Sequence, residues 1–180
     1  MALEIRATDL PSIADSGTQS VMFRVAPNGV GQAEISARNE LRLFPGVYLS
    51  GGSRIGISNG DVPEPLKFRV SELRSINLPR SNHVAVAKIA LDLPSPGSLP
   101  YSLFHLAMID RVRTRLFLTA GVGWTSLDEF GTNSPGIEAG MEQIIELSTL
   151  GGLISMSARI GIATPVLGEG ATILYGNISY

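Results

Sequence analysis

The chain has 180 residues with 14 basic, 16 acidic and no cysteine side chains; 17% are charged, against roughly 25% in an ordinary soluble domain. A mean hydropathy of +0.22 with net charge −2 excludes disorder, and the lack of cysteine excludes a disulfide framework or thiolate chemistry. The longest uncharged run, Leu93–Ile109, holds three prolines and His105, so no apolar helix of about 18 residues can cross a bilayer. Residues 1–115 sum to +3 and residues 116–180 to −5, with no basic stripe interleaved with aromatics, which argues against a nucleic-acid partner. The opening MALEIRATDL lacks the basic start and apolar core of a signal peptide, so an exported form would be present here without one.

Taken in chain order, the segments alternate with period two rather than with helical spacing. Ala33, Ile35, Ala37, Leu41 and Leu43 oppose Glu34, Ser36, Arg38, Glu40 and Arg42. Strands are expected over Val47–Ser58, Leu66–Val70, His83–Leu91, Tyr101–Ile109 and Ile137–Leu147. The pattern is cleanest later on. Leu116, Leu118, Ala120, Val122 and Trp124 oppose Phe117, Thr119, Gly121 and Gly123; Ile154, Met156, Ala158, Ile160 and Ile162 oppose Ser155, Ser157, Arg159 and Gly161. At the end, Thr172, Leu174, Gly176, Ile178 and Tyr180 oppose Ile173, Tyr175, Asn177 and Ser179. Pro45-Gly46, Asn59-Gly60-Asp61, Pro94 to Gly97, Asn133 to Gly136, Gly151-Gly152 and Gly168 to Gly170 break the segments. The expectation is all-β, an antiparallel up-and-down meander of about 8–10 strands.

A soluble sandwich or jelly roll would alternate as well. Three features favour a transmembrane β-barrel, or half of a larger one. Several strands run about 10 to 12 residues, the length that crosses a bilayer when tilted. Their polar parity is small and uncharged in places, as at Thr119, Gly121, Gly123, Ser155 and Ser157. An aromatic, Tyr180, closes the last strand on its apolar parity.

Few residues suggest covalent chemistry. Gly56-Ile57-Ser58-Asn59-Gly60 matches the G-x-S-x-G nucleophile elbow, but Pro63 and Pro65 follow where that elbow needs a helix. A lipid-modifying barrel enzyme using Ser58, His83 and a carboxylate is the weakest reading. His83 and His105 have no local imidazole partner, so no metal site or cofactor is expected. Trp124 reads as an interface anchor at a strand end, and Asp110, Arg111, Arg113 and Arg115 as a charged turn.

Four pieces in order resemble the C-terminal barrel of the bacterial surface antigen superfamily, which includes BamA-type and TamA-type assembly factors and two-partner secretion transporters. Leu73-Arg74-Ser75-Ile76, after Phe68, sits where the family has a Val-Arg-Gly-aromatic loop tip folded into the lumen. Val84 to Pro94 sits at a strand closing on a proline turn. Phe117-Leu118-Thr119-Ala120-Gly121 resembles the family's Phe-x-Asp-x-Gly strand. Gly140 through Gly152 to Arg159 and Pro165, then a hairpin to Tyr180, resembles the last three strands. Ser75-Ile76 and Thr119 depart from the pattern.

The resemblance implies one barrel domain or fragment over 1–180: generic strands over 20–65, a lumen loop over 66–81 and C-terminal strands over 82–180. It implies a non-enzymatic outer-membrane protein of a bacterium, related to insertion and translocation factors. Its partners would be the lipid bilayer, unfolded or secreted proteins, and the barrel-assembly machinery. Leu174, Ile178 and Tyr180 would form the C-terminal barrel signal. Arg74 would meet the inner wall, with Thr119, Glu138 and Glu142 as candidate partners; Thr119 keeps the position of the family's aspartate without its charge.

Overall fold

The computed structural model describes residues 3–8, 16–25, 29–95, 101–103, 107–129, 131–149 and 154–179. Its strands are β1 (Leu3–Thr8), β2 (Ser16–Val25), β3 (Gly31–Phe44), β4 (Val47–Ser58), β5 (His83–Pro94), β6 (Tyr101–Leu103), β7 (Ala107–Trp124), β8 (Gly136–Thr149), β9 (Ile154–Leu167) and β10 (Ile173–Ser179). All lie in one antiparallel sheet in the order β1-β2-β3-β4-β5-β7-β8-β9-β10, with β6 pairing only the start of β7. This is the expected up-and-down meander. The described strands make no Greek-key crossing of the kind a jelly roll requires. Among the described residues β1 and β10 do not pair with each other, so the sheet has two open edges. Among the described residues helix is confined to single 3-10 turns at Glu64–Leu66 and Leu127–Glu129, and no described helix is long and apolar enough to cross a membrane.

Local chemistry sets the hairpins. Pro45-Gly46 links β3 to β4, and Gly46 has φ +81°. Proline fixes the first corner of such a turn and glycine takes the left-handed second corner. Gly168, at φ +104°, does the same work in the β9–β10 turn.

The alternation sorts the sheet into two unlike faces. Phe23, Ile35, Ile55, Ile57, Ile89, Leu116, Leu118, Met141, Ile160 and Leu174 all stand exposed on the convex side. The concave parity holds Gln32, Ser50, Asp92, Arg115, Thr119, Glu138 and Glu142, all buried. The sheet curls strongly, because Arg38 on β3 and Arg159 on β9 line one cavity on the concave side.

Four expectations differ from the structure. Leu66–Val70 is no strand: one bridge, Phe68 to Ser81, is all that remains of its pairing. Its apolar residues face a concave wall instead of a neighbouring strand. Asp110–Arg115 is no turn either, but lies inside β7. Arg115 donates to both carboxylate oxygens of Asp92 at 2.6 and 2.7 Å, and Arg113 pairs with Glu146, so acids on β5 and β8 satisfy the charges within the sheet. The Tyr101–Ile109 segment breaks into β6 and the start of β7. β1 and the first residues of β2 precede the segments where strands were expected.

Candidate functional site

The segment between β4 and β5 forms a strap across the concave face. It is anchored at its base by Asn82, which donates to Asp61 Oδ1 at 3.1 Å and the Thr125 carbonyl at 3.0 Å and accepts from Val62 N–H. Phe68 and Ser81 exchange backbone hydrogen bonds of 2.9 Å each way. From there Phe68, Val70, Leu73 and Ile76 pack on Val84 and Val86 of β5. The inner wall is therefore not polar throughout: an apolar cluster lies between it and the strap.

Small wall residues make this approach feasible. A Cβ added at Gly56 would sit 2.8 Å from the Phe68 ring, and one at Gly121 would sit 2.6 Å from Val70. The small, uncharged inward parity is in part a landing surface for the strap.

Two opposite charges hold the strap. On one side Arg54 of β4 forms an ion pair with Glu72, its Nη2 donating to Glu72 Oε2 at 2.8 Å, and donates to the Arg69 carbonyl at 2.6 Å. On the other side Glu138 of β8 accepts the Arg74 N–H at 2.7 Å, the Ser75 N–H at 2.8 Å and the Ser75 hydroxyl at 2.8 Å, all on Oε2. Glu138 is fully buried, so these donors replace lost water. Beyond the tip, Ala171 N–H donates to the Ser75 carbonyl at 3.1 Å, and Ile76 bridges to Gly170. The strap thus reaches from β4 to the β9–β10 hairpin.

The expected site residues come together with a different division of labour. Arg74 meets Glu138 through its backbone, while its guanidinium lies 3.6 Å from Glu142 Oε1 and 3.9 Å above the Tyr175 ring centroid. Tyr175 donates its hydroxyl to Glu142 Oε1 at 2.8 Å. Thr119 does not partner Arg74: its hydroxyl is buried and finds no hydrogen bond among the described residues. The carboxylate of its direct cross-strand partner, Glu138, outcompetes a neutral hydroxyl for strap N–H groups. Leu73 and Ile76 are buried in the strap's apolar cluster, and Ser75 supplies two of the three contacts to Glu138.

Tyr175 was missed. An aromatic on the parity it shares with Asn177 and Ser179 was the available signal. Its ring crosses Gly161, where an added Cβ would lie 2.7 Å from it. Trp124 is 4% exposed and stacks on His83 with centroids 5.7 Å apart, so it presents no face to an interface. Aromatic stacking at the end of the sheet overrides the strand's alternation there. Leu174 and Ile178 are exposed on the convex face; Tyr180 and His105 lie outside the described residues.

Ser58 and His83 do approach each other, but not as nucleophile and base. Ser58 donates its hydroxyl to the Gly60 carbonyl at 2.8 Å, and His83 Nδ1 takes the Ser58 backbone N–H at 3.4 Å. A nucleophilic serine would direct its hydroxyl at the imidazole. No group of residues able to hold a metal ion occurs among the described residues.

The arrangement is a curled sheet with an apolar outer wall and a strap pinned inside by ion pairs. No family model matches the chain, and neither does any curated protein or solved structure.

Proposed function

We propose that the chain forms wall and strap of a bacterial outer-membrane β-barrel related to protein insertion and translocation factors, acting without covalent chemistry. One observation carries this reading. Large apolar side chains stand exposed over the convex face while Asp92, Glu138 and Glu142 are at most 1% exposed on the concave one. A water-soluble sheet places these classes the other way round. Left in water, each of those aliphatic side chains would forgo roughly 1.5–3 kcal/mol of burial. Hydrocarbon removes that penalty, and a polar interior suits a membrane barrel.

The insertion role draws support from the order of the motifs and the strap's course. A strap seated by polar contacts at Arg54, Glu138 and Glu142 can hold a curved wall in one shape while its edges stay free to pair. Open edges are what a barrel offers to an incoming strand.

The test is reconstitution. The purified chain should partition into detergent and lipid vesicles, and should migrate differently on gels before and after boiling. Vesicles carrying it should speed the folding of a small reporter barrel. A chain that stays monodisperse in plain buffer at high concentration would sink the membrane reading. Vesicles that hold the chain yet leave the reporter's folding rate unchanged would remove the insertion role alone.

A further inference from the structure

Beside the strap, the concave face opens into a cavity of about 360 Å³. Its ionic lining is Arg38, Arg54, Lys88, Arg115, Arg159 and Glu72, five cations and one acid. Two of the cations are neutralised. Arg115 is held by Asp92, and Arg54 by Glu34 and Glu72. Arg38, Lys88 and Arg159 have no ion pair among the described residues. Lys88 lies over the Phe117 ring at 4.7 Å. Glu142 is within electrostatic reach of Lys88, but Tyr175 and Arg74 already share it.

The register shows how the space arises. Arg38 pairs with Gly52, and Gly52 pairs with Lys88, so a residue without a side chain separates two cations in one row. A Cβ at Gly52 would meet only the Ala37 carbonyl, at 3.7 Å, an ordinary contact. Packing does not demand the glycine; it leaves the space between the cations open. From the far side of the curl, Arg159 reaches the same cavity. Three unneutralised cations around a concavity with protein walls repel one another and focus a positive potential into it.

We propose that this cavity binds a small polyanion bearing phosphoryl groups, with Arg38, Lys88 and Arg159 as its charged contacts. Guanidinium groups match phosphoryl oxygens in fork geometry, and the ammonium adds a point charge. The proposal holds whatever covers the convex face, so it does not depend on the membrane reading.

The experiment titrates the full chain, in neutral detergent, with inorganic pyrophosphate by calorimetry. Binding should saturate. Arg38→Gln and Arg159→Gln should each weaken it by about tenfold, the loss of one charged hydrogen bond. Arg80→Gln, a strap arginine outside the lining, should leave it unchanged. Gly52→Glu sets a carboxylate among the cations; it should abolish binding and raise the melting temperature, which separates occupation of the site from misfolding. Glycerol 3-phosphate and phosphatidic acid compared as competitors give the source: preference for the lipid assigns a headgroup, equal competition a free phosphate. No saturable binding, unaltered affinity in the Arg38 and Arg159 variants, an equal loss in Arg80→Gln, or undiminished binding by Gly52→Glu would each overturn it.

Discussion

On the convex face Ile35, Ile55, Ile89, Leu118 and Ile160 stand exposed, whereas on the concave face Asp92, Thr119, Glu138 and Glu142 are sealed from solvent. The same strands build both, one residue apart. Burial therefore does not follow hydrophobicity here; it follows which side the strap covers. The charges sealed under and beside the strap tolerate that side because they meet partners, in contrast to the cations of the open cavity. Arg115 has Asp92, Arg54 has Glu72, and Glu138 has three donors from the strap tip. The convex face needs no such matching and is correspondingly plain.

The contrast is broken most sharply at Glu138. Glu138→Ala strands the Arg74 and Ser75 donors in a buried place, and removing one partner of a buried charged contact costs about 3–5 kcal/mol. Glu138→Gln keeps an acceptor oxygen and should cost only about 1–2 kcal/mol. Equilibrium unfolding in detergent, followed by near-UV circular dichroism, measures both. Equal small losses would mean that the strap is not held there.

The next effect tests the convex face directly. Ala158 and Ser157 are adjacent on β9, one on each parity. Ala158→Arg should cost about 2–4 kcal/mol in bilayers if its face meets hydrocarbon near the midplane. Ser157→Arg turns toward the polar side and should cost well under half as much. Matching losses would mean that the two faces do not differ as argued.

Arg74 offers a smaller effect, because its side chain stays 34% exposed. Arg74→Ala should lose about 1 kcal/mol, since solvent screens the pair and the stacking on Tyr175 is partly wet. A double-mutant cycle with Glu142→Gln should show a coupling of at least about 0.5 kcal/mol. Strict additivity would leave the guanidinium a bystander and the backbone of Arg74 the only functional part.

Much of this contrast was legible beforehand, for reasons that also explain the misses. Period two at Leu116–Val122 and Ile154–Ile162 fixes which side chains share a face, because a strand has no other geometry available. The need for an acid near Arg74 followed from charge alone. Whether the backbone or the guanidinium would take Glu138 did not, since that depends on the strap's height above the wall. Leu66, Phe68 and Val70 looked like a strand because apolar residues in a covering loop and in a strand obey the same burial rule. Arg113 and Arg115 looked like a turn because their partners, Glu146 and Asp92, lie 33 and 23 residues away. Tyr175 was visible on the parity of Asn177 and Ser179 but had no function until the strap was placed over it.

The smallest effect belongs to the mouth of the strap, where the same ion-pair chemistry operates in full solvent. Asp61 accepts a hydrogen bond from Asn82 and lies 3.4 Å from the Lys67 ammonium. The Asn82 hydrogen bond first, and then the charge of Lys67, hold its carboxyl below the ordinary aspartate value. The folded state therefore binds the Asp61 proton less readily than the unfolded chain does. Its contribution to stability is complete above the unfolded value of about 3.9 and fades as pH falls through the lower folded one. Asp61→Asn should leave the pH dependence above about 5 unchanged and flatten it slightly below about 4 relative to the parent chain. Added salt should shrink even that difference, because a Debye length of about 10 Å at 0.1 M screens an exposed pair. The same salt should leave the Glu138→Ala loss almost intact, since Glu138 is itself sealed from solvent. If salt weakened both alike, the Glu138 contact would be wet, and the distinction between a sealed strap tip and an open mouth would not hold.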